Sequence, residues 1–152
     1  MSKAFTKEDD EIPERVGRVR PSSGLPPGAM NYMTAEGARR LRSELEGLLP
    51  KRNRHEDRIA ELEQVLGSAT IVPAHEEPSD EVLFGATVTV RAESGELARY
   101  RIVGVDETKL EPGWVSWVSP LAKALIGAQV GQRVSLGDPT SGEEVEIVKI
   151  EY

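Results

Sequence analysis

The chain has 152 residues, 38% of them hydrophobic and 30% charged, with no cysteine and a net charge of −7. That length admits one compact domain or two small ones, and the missing cysteines exclude a disulfide framework and any thiolate metal site. No apolar run approaches the roughly 20 residues of a membrane span, and the first ten residues lack the apolar core of a signal peptide, so a soluble cytoplasmic protein is expected.

The charge is unevenly placed. Residues 1–30 carry five basic and five acidic side chains, residues 31–75 seven and seven, and residues 76–152 seven and fourteen. The acidic excess therefore lies wholly in the C-terminal half. It disfavours direct binding to duplex DNA, whose affinity comes mainly from neutralised phosphates. Any contact with nucleic acid is expected to run through a protein partner.

Residues 1–30 show no sustained periodicity and are interrupted by Pro13, Pro21, Pro26 and Pro27. They read as a disordered or loosely draped tail ending in a linker. Thr34 is placed to N-cap a helix over residues 35–49, with Ala38, Leu41, Leu45 and Leu48 as its apolar stripe. Pro50 should end it. A second helix is predicted over residues 54–66, with Ile59, Leu62 and Leu66 as its stripe, Val65 beside it and Gly67 as its stop. The short join Pro50-Lys51-Arg52-Asn53 makes the two an antiparallel hairpin, a short coiled coil. At 1.5 Å per residue it projects roughly 20–25 Å. Residues 70–72 add a short extended piece, and residues 73–80 form a polar, proline-bounded linker, the expected domain boundary.

Beyond the linker strands dominate. Residues 86–91 alternate, residues 93–96 turn, and residues 98–103 return as a hairpin partner. Residues 114–118 read as a strand with Trp114, Ser116 and Val118 on one face and Val115 and Trp117 on the other. It ends in a tight corner. Ser119 stands where an N-cap belongs, Pro120 where the first helical residue belongs, and Leu121 and Leu125 line one helix face before Gly127 closes it. Residues 133–136 and 144–151 complete the set. In the last strand Val145 and Ile147 share one face while Val148 and Ile150 share the other, a phase break that predicts a bulge. The fold class is α+β: a helical hairpin followed by about five antiparallel strands with one short helix packed on them.

Catalytic chemistry is hard to find. His55 and His75 are the only histidines and lack ligand spacing. There is no glycine-rich phosphate loop and no nucleophile elbow. Glu76-Glu77 and Glu143-Glu144 fall in a linker and a turn, where solvated carboxylates are the norm. No catalytic residue, metal ligand or cofactor site is predicted. The one basic concentration runs from Arg39, Arg40 and Arg42 to Lys51, Arg52, Arg54 and Arg58. Arg42–Glu46 and Arg58–Glu61 stand at intrahelical pairing distance. Lys51, Arg52 and Arg54 at the hairpin tip are less neutralised and form a candidate contact for an acidic or nucleic-acid surface.

Several segments together resemble the bacterial Gre transcript-cleavage factors and their relative Rnk. Phe84-Gly85-Ala86-Thr87-Val88, Tyr100-Arg101-Ile102-Val103-Gly104-Val105-Asp106-Glu107, Ser119-Pro120-Leu121-Ala122-Lys123-Ala124-Leu125, Val130-Gly131 and Ile150-Glu151-Tyr152 match the pattern in order. Residues 33–45 look like the start of the Gre coiled coil, and residues 59–72 like its end. The resemblance implies an FKBP-like C-terminal domain over residues 81–152 that grips bacterial RNA polymerase beside its secondary channel. It implies a corner contact at Val118, Ser119 and Pro120, with Lys123 one turn further on; Val118 stands where the family carries an acidic residue. In the family a long coiled coil threads the channel, and carboxylates at its tip help hold the polymerase's metal. Here only residues 50–58 stand between Leu49 and Ile59, so Glu56 and Asp57 do not inherit that role. The expectation is a monomeric transcription elongation regulator that binds polymerase without promoting cleavage and is not itself an enzyme. Two rivals are an FKBP-type prolyl isomerase, disfavoured because seven aromatic residues leave few to line a cleft, and a generic interaction module that no longer binds polymerase.

Overall fold

The structure, a computed structural model, describes residues 25, 26, 28–75, 79–136 and 143–152. Its elements run β1 (Asn31–Thr34), α1 (Ala35–Leu48), a 3-10 segment (Leu49–Arg54), α2 (Glu56–Ser68), β2 (Ala69–Val72), β3 (Thr87–Ala92), β4 (Leu97–Val103), β5 (Trp114–Ser116), α3 (Pro120–Leu125), β6 (Arg133–Leu136) and β7 (Glu143–Glu151). Helix and strand are mixed, and the fold class is α+β. Most of the expected 1–30 tail lies outside the described residues, although Leu25, placed there, is 7% exposed and belongs to the folded body.

Helices α1 and α3 start where their caps predict. Thr34 is extended, and its hydroxyl accepts from Gly37 N at 3.0 Å, the geometry of an N-cap. Ala38 and Leu41 of α1 and Leu62 and Val65 of α2 are buried in one cluster with Met33, and Leu45, Leu48 and Leu66 pack on it. Arg58 clamps the pair from outside, with Nε and Nη2 on the two carboxylate oxygens of Glu44 at 2.7 and 2.8 Å. Three details differ from expectation. Helix α1 gives way to a 3-10 turn before Pro50, which occupies an early position where its missing N–H is tolerated. Helix α2 begins at Glu56, two residues late, with Glu56 and Asp57 facing the helix dipole. It also runs through Gly67 to Ser68, because Gly67 keeps helical geometry and the chain turns extended only at Ala69.

A strand not foreseen opens the folded region. β1 pairs parallel with β2, Asn31 opposite Ala69 through Thr34 opposite Val72. The helical pair thus leaves and returns at adjacent points.

The remaining strands form a five-stranded sheet in the order β5-β4-β3-β7-β6. All neighbours are antiparallel except β4 and β5, which run parallel from Arg101 opposite Trp114 to Val103 opposite Ser116. The expected fully antiparallel sheet is therefore corrected. The strand at Trp114 arrives by the crossover 104–113 rather than by a hairpin, and it ends at Ser116, with Trp117 and Val118 already in the turn. The predicted bulge is present. Thr89 pairs with Lys149 and Val90 with Ile147, leaving Val148 unpaired and bringing Ile150 back toward the core. That core holds Val82, Val88, Val90, Ile102, Ala122, Leu125, Val145 and Ile147. Among the described residues no helix is long and apolar enough to cross a membrane.

Candidate docking site

The corner after β5 is rigid for local reasons. Ser119 Oγ accepts from Ala122 N at 3.2 Å, and Ser119 O accepts from Lys123 N at 2.9 Å, so the serine caps α3 with both its side chain and its backbone. Upstream, Ser119 N donates to Ser116 O at 3.0 Å and Trp117 N to Val103 O at 2.9 Å. Ala122 and Leu125 are fully buried and seat the helix, while Gly127 turns the chain at φ +90°, a conformation few side chains tolerate. Pro120 and Lys123 are exposed, and Val118 and Ser119 half-buried. The four sequence-predicted corner residues thus lie together where the turn enters α3, with Pro120 and Lys123 exposed.

The 3-10 turn between α1 and α2 is a different surface. Lys51, Arg52 and Arg54 are all exposed on the 3-10 turn, where Lys51 (φ −118°, ψ 43°) departs from helical geometry. Arg52 reaches Glu63 at 3.6 Å, an exposed pair of little weight. Among the described residues Lys51 and Arg54 have no ion pair. Arg58 pairs with Glu61 at 3.0 Å as its spacing predicts, whereas Arg42 and Glu46 do not meet. No group of three or more His, Asp or Glu among the described residues is placed to hold a metal.

Between corner and tip lies a junction that residue patterns alone did not reveal, and the crossover 104–113 supplies its sheet side. Glu107 is fully buried. Its Oε2 accepts from Thr34 N at 2.9 Å and Gly104 N at 2.6 Å, and its Oε1 accepts from the Thr34 hydroxyl. Burial pushes its pKa above the usual value, outweighing three donors and the nearby Arg101, which favour the charged form. A Cβ at Gly37 would overlap this carboxylate, lying 2.5 Å from Cδ and 2.8 Å from Cγ. A Cβ at Gly104 would overlap the Tyr32 carbonyl and lie 3.0 Å from Glu107 Oε2. Both glycines are therefore required by proximity. Asn31 Nδ2 adds contacts to Asp106 Oδ2 and Ser68 Oγ, each 3.2 Å.

Outside this buried group, Arg101 Nη1 meets Glu36 at 2.7 Å and Arg40 Nη1 meets Glu111 at 3.1 Å. Both guanidinium groups lie over the Trp114 ring, 4.7 and 5.5 Å from its centre. Arg101 holds the Glu36 carboxyl below its ordinary pKa, and Arg58 does the same for Glu44. Aromatic side chains are used here as packing. Tyr32 meets Trp117 edge-on at 5.2 Å and Phe84 at 5.9 Å, which ties β1 to the corner.

Comparison with known proteins gives the family. Residues 77–152, half of the chain, match the model described as transcription elongation factor, GreA/GreB, C-term. The chain belongs to the GreA/GreB family. It is 36% identical over 146 residues to transcription elongation factor GreB of Neisseria meningitidis serogroup B, covering 94% of this chain and 86% of that protein. It is 40% identical over 103 residues to transcription elongation factor GreA of Anaeromyxobacter sp., covering 67% and 62% of the two. Among solved structures, the transcription factor Gfh1 is 25% identical with a TM-score of 0.45, covering 82% of this chain and 99% of that one. The GreA/GreB factor of Nitrosomonas europaea is 28% identical with a TM-score of 0.44, covering 80% and 98%. The C-terminal motifs of the Gre resemblance, including Gly104 to Glu107 and Ser119 to Leu125, fall inside the matched region, while those at residues 33–45 and 59–72 lie before it.

Proposed function

We propose that this member of the GreA/GreB family is a transcription elongation regulator that docks on bacterial RNA polymerase at the mouth of the secondary channel without stimulating transcript cleavage. In this reading residues 81–152 form an FKBP-like docking domain and residues 31–72 a short coiled coil. Val118, Ser119, Pro120 and Lys123 make the grip, and Lys51, Arg52 and Arg54 face the channel rim. The protein works as a cytoplasmic monomer, is not itself an enzyme, and meets nucleic acid only through the polymerase.

The observation that carries the cleavage half of the proposal is the length and chemistry of the helical pair. Helices of 14 and 13 residues reach about 20 Å. They are joined by a turn that carries three cations and no carboxylate. Metal-assisted hydrolysis requires ligands placed to within fractions of an ångström. Glu56 and Asp57 sit in the first turn of α2 on a stub too short to deliver them.

Added to a stalled, backtracked elongation complex, the protein should leave RNA cleavage at the polymerase's own rate. It should also slow cleavage stimulated by a full-length Gre factor in a concentration-dependent way. Cleavage stimulated by this protein alone and lost in Glu56→Ala or Asp57→Ala would overturn the proposal.

A further inference from the structure

We propose that Glu107 is a positioning residue that fixes the angle between the helical pair and the sheet, and with it the span from the tip cations to the Ser119–Pro120 corner. The inference rests on the docking reading above, in which tip and corner engage one partner together.

The geometry is that of a pivot held from both sides. Thr34 is the last residue of β1 and the cap of α1, so it stands at the foot of the helical pair. Gly104 directly follows β4. The carboxylate of Glu107 accepts from the backbone N–H of both residues through one oxygen, Oε2, at 2.9 and 2.6 Å. A swing that lengthens either bond strands a buried carboxylate with a broken contact, a heavily penalised state. The Thr34 hydroxyl is shared as well, donating to Oε1 while capping Gly37. One turn into α1, Gly37 leaves no room for even a methyl group between helix and carboxylate.

Other contacts at the junction do not set an angle as firmly. The Arg101–Glu36 and Arg40–Glu111 pairs are partly exposed and belong to the class that contributes little and weakens with salt. Asn31 to Asp106 is a single part-buried hydrogen bond at 3.2 Å, and the apolar contacts include Tyr32 against Phe84 and Trp117 and Leu110 against the helical core. Relative motion is the default for interfaces of that kind. Glu107 is the one fully buried charged side chain among the described residues, and the segments that hold it, Thr34 to Gly37 and Gly104 to Glu107, are two of those that carry the family resemblance.

The test uses the absence of native cysteine. Spin labels at Asn53→Cys on the tip and Arg133→Cys on β6, both exposed positions, report the tip-to-sheet distance distribution by pulsed dipolar spectroscopy in the free protein. The parent should give one narrow distribution. Glu107→Gln, which puts an N–H donor where an acceptor oxygen stood, should broaden it about twofold or more as further orientations become populated. Thr34→Val should broaden it too, while Thr34→Ser, which keeps the hydroxyl, should restore the narrow distribution. The conservative pair separates positioning from mere folding. A distribution equally narrow in Glu107→Gln and Thr34→Val overturns the positioning role.

Polymerase titration of the same proteins tests the functional consequence. If a tenth of the molecules hold the competent angle, affinity drops about tenfold. Unchanged affinity with a broadened distribution overturns the claim that the angle serves docking. Failure of the parent to bind overturns the docking reading, while the distances still decide the positioning role.

Discussion

Three glycines in the helical pair give the same substitution three different environments. Gly37, Gly47 and Gly67 all have helical backbone, so alanine is conformationally allowed at each, and its propensity gain is about 0.5–1 kcal/mol in a helix interior. At Gly47 and Gly67 an added Cβ meets nothing within 4 Å, so Gly47→Ala and Gly67→Ala should each stabilise by about that amount. At Gly37 the methyl would occupy the place of the Glu107 carboxylate. Displacing a buried charge from its partners costs about 3–5 kcal/mol, so after the helix gain Gly37→Ala should destabilise by about 2–4 kcal/mol. With a urea m-value of about 2 kcal/mol/M, typical of small proteins, the midpoint should fall by about 1–2 M. The assay is urea unfolding followed by far-ultraviolet circular dichroism, with Gly37→Ala/Glu107→Ala completing a double-mutant cycle. In the double variant the methyl enters the space the carboxylate left, so the two losses should be strongly non-additive. A Gly37→Ala protein as stable as Gly47→Ala, or fully additive losses, would refute the account of the junction.

Further outcomes concern docking and pH. Ser119→Ala with Pro120→Ala should weaken polymerase binding by tenfold or more while losing about 1 kcal/mol of stability through the α3 cap; unchanged affinity in a fluorescence titration would remove the corner from the site. Replacing Lys51, Arg52 and Arg54 by alanine should slow association at low salt more than it speeds dissociation; an unchanged stopped-flow association rate would make the cluster ordinary surface. The raised pKa of Glu107 means that the native state binds more protons than the unfolded chain above the usual glutamate value of 4.5. Its contribution is therefore complete below that pH and is lost as pH rises through the folded pKa. Glu36 and Glu44, whose pKa values are lowered, act in the opposite sense, losing their contribution as pH falls below 4.5. Urea midpoints of parent and Glu107→Gln across this range should therefore converge or cross on raising the pH, and a constant difference would refute the assignment.

What the residues disclosed in advance was mostly local. Thr34 and Ser119-Pro120 announce helix starts because capping chemistry is confined to three or four neighbouring residues. The helix stripes and the slip at Val148 follow from periodicity, which is again local. The features that escaped depend on distant partners. β1 is four residues long, runs straight into a helix, and finds its mate 38 positions further on. The direction of β5 is set by the path of the crossover 104–113, not by alternation within Trp114 to Ser116. Gly67 looks like a stop because glycine often ends helices, yet here helical geometry continues past it. The role of Glu107 is the least legible, since an Asp-Glu pair in a loop resembles solvated surface. Its signal was indirect, in Gly37 one turn inside a helix and Gly104 immediately after a strand, both close-approach positions.

The parallel pairing of β1 and β2 has a mechanical consequence. Because Asn31–Thr34 and Ala69–Val72 hold the outgoing and returning chain side by side, the helices are mounted like a mast in a fixed socket. Residues inserted symmetrically around the 3-10 turn would raise the mast by about 5.4 Å per added helical turn and leave the socket untouched. Reach is thus an adjustable dimension of this architecture, set at the far end by a handful of residues, while the bearing of the mast is set at its foot.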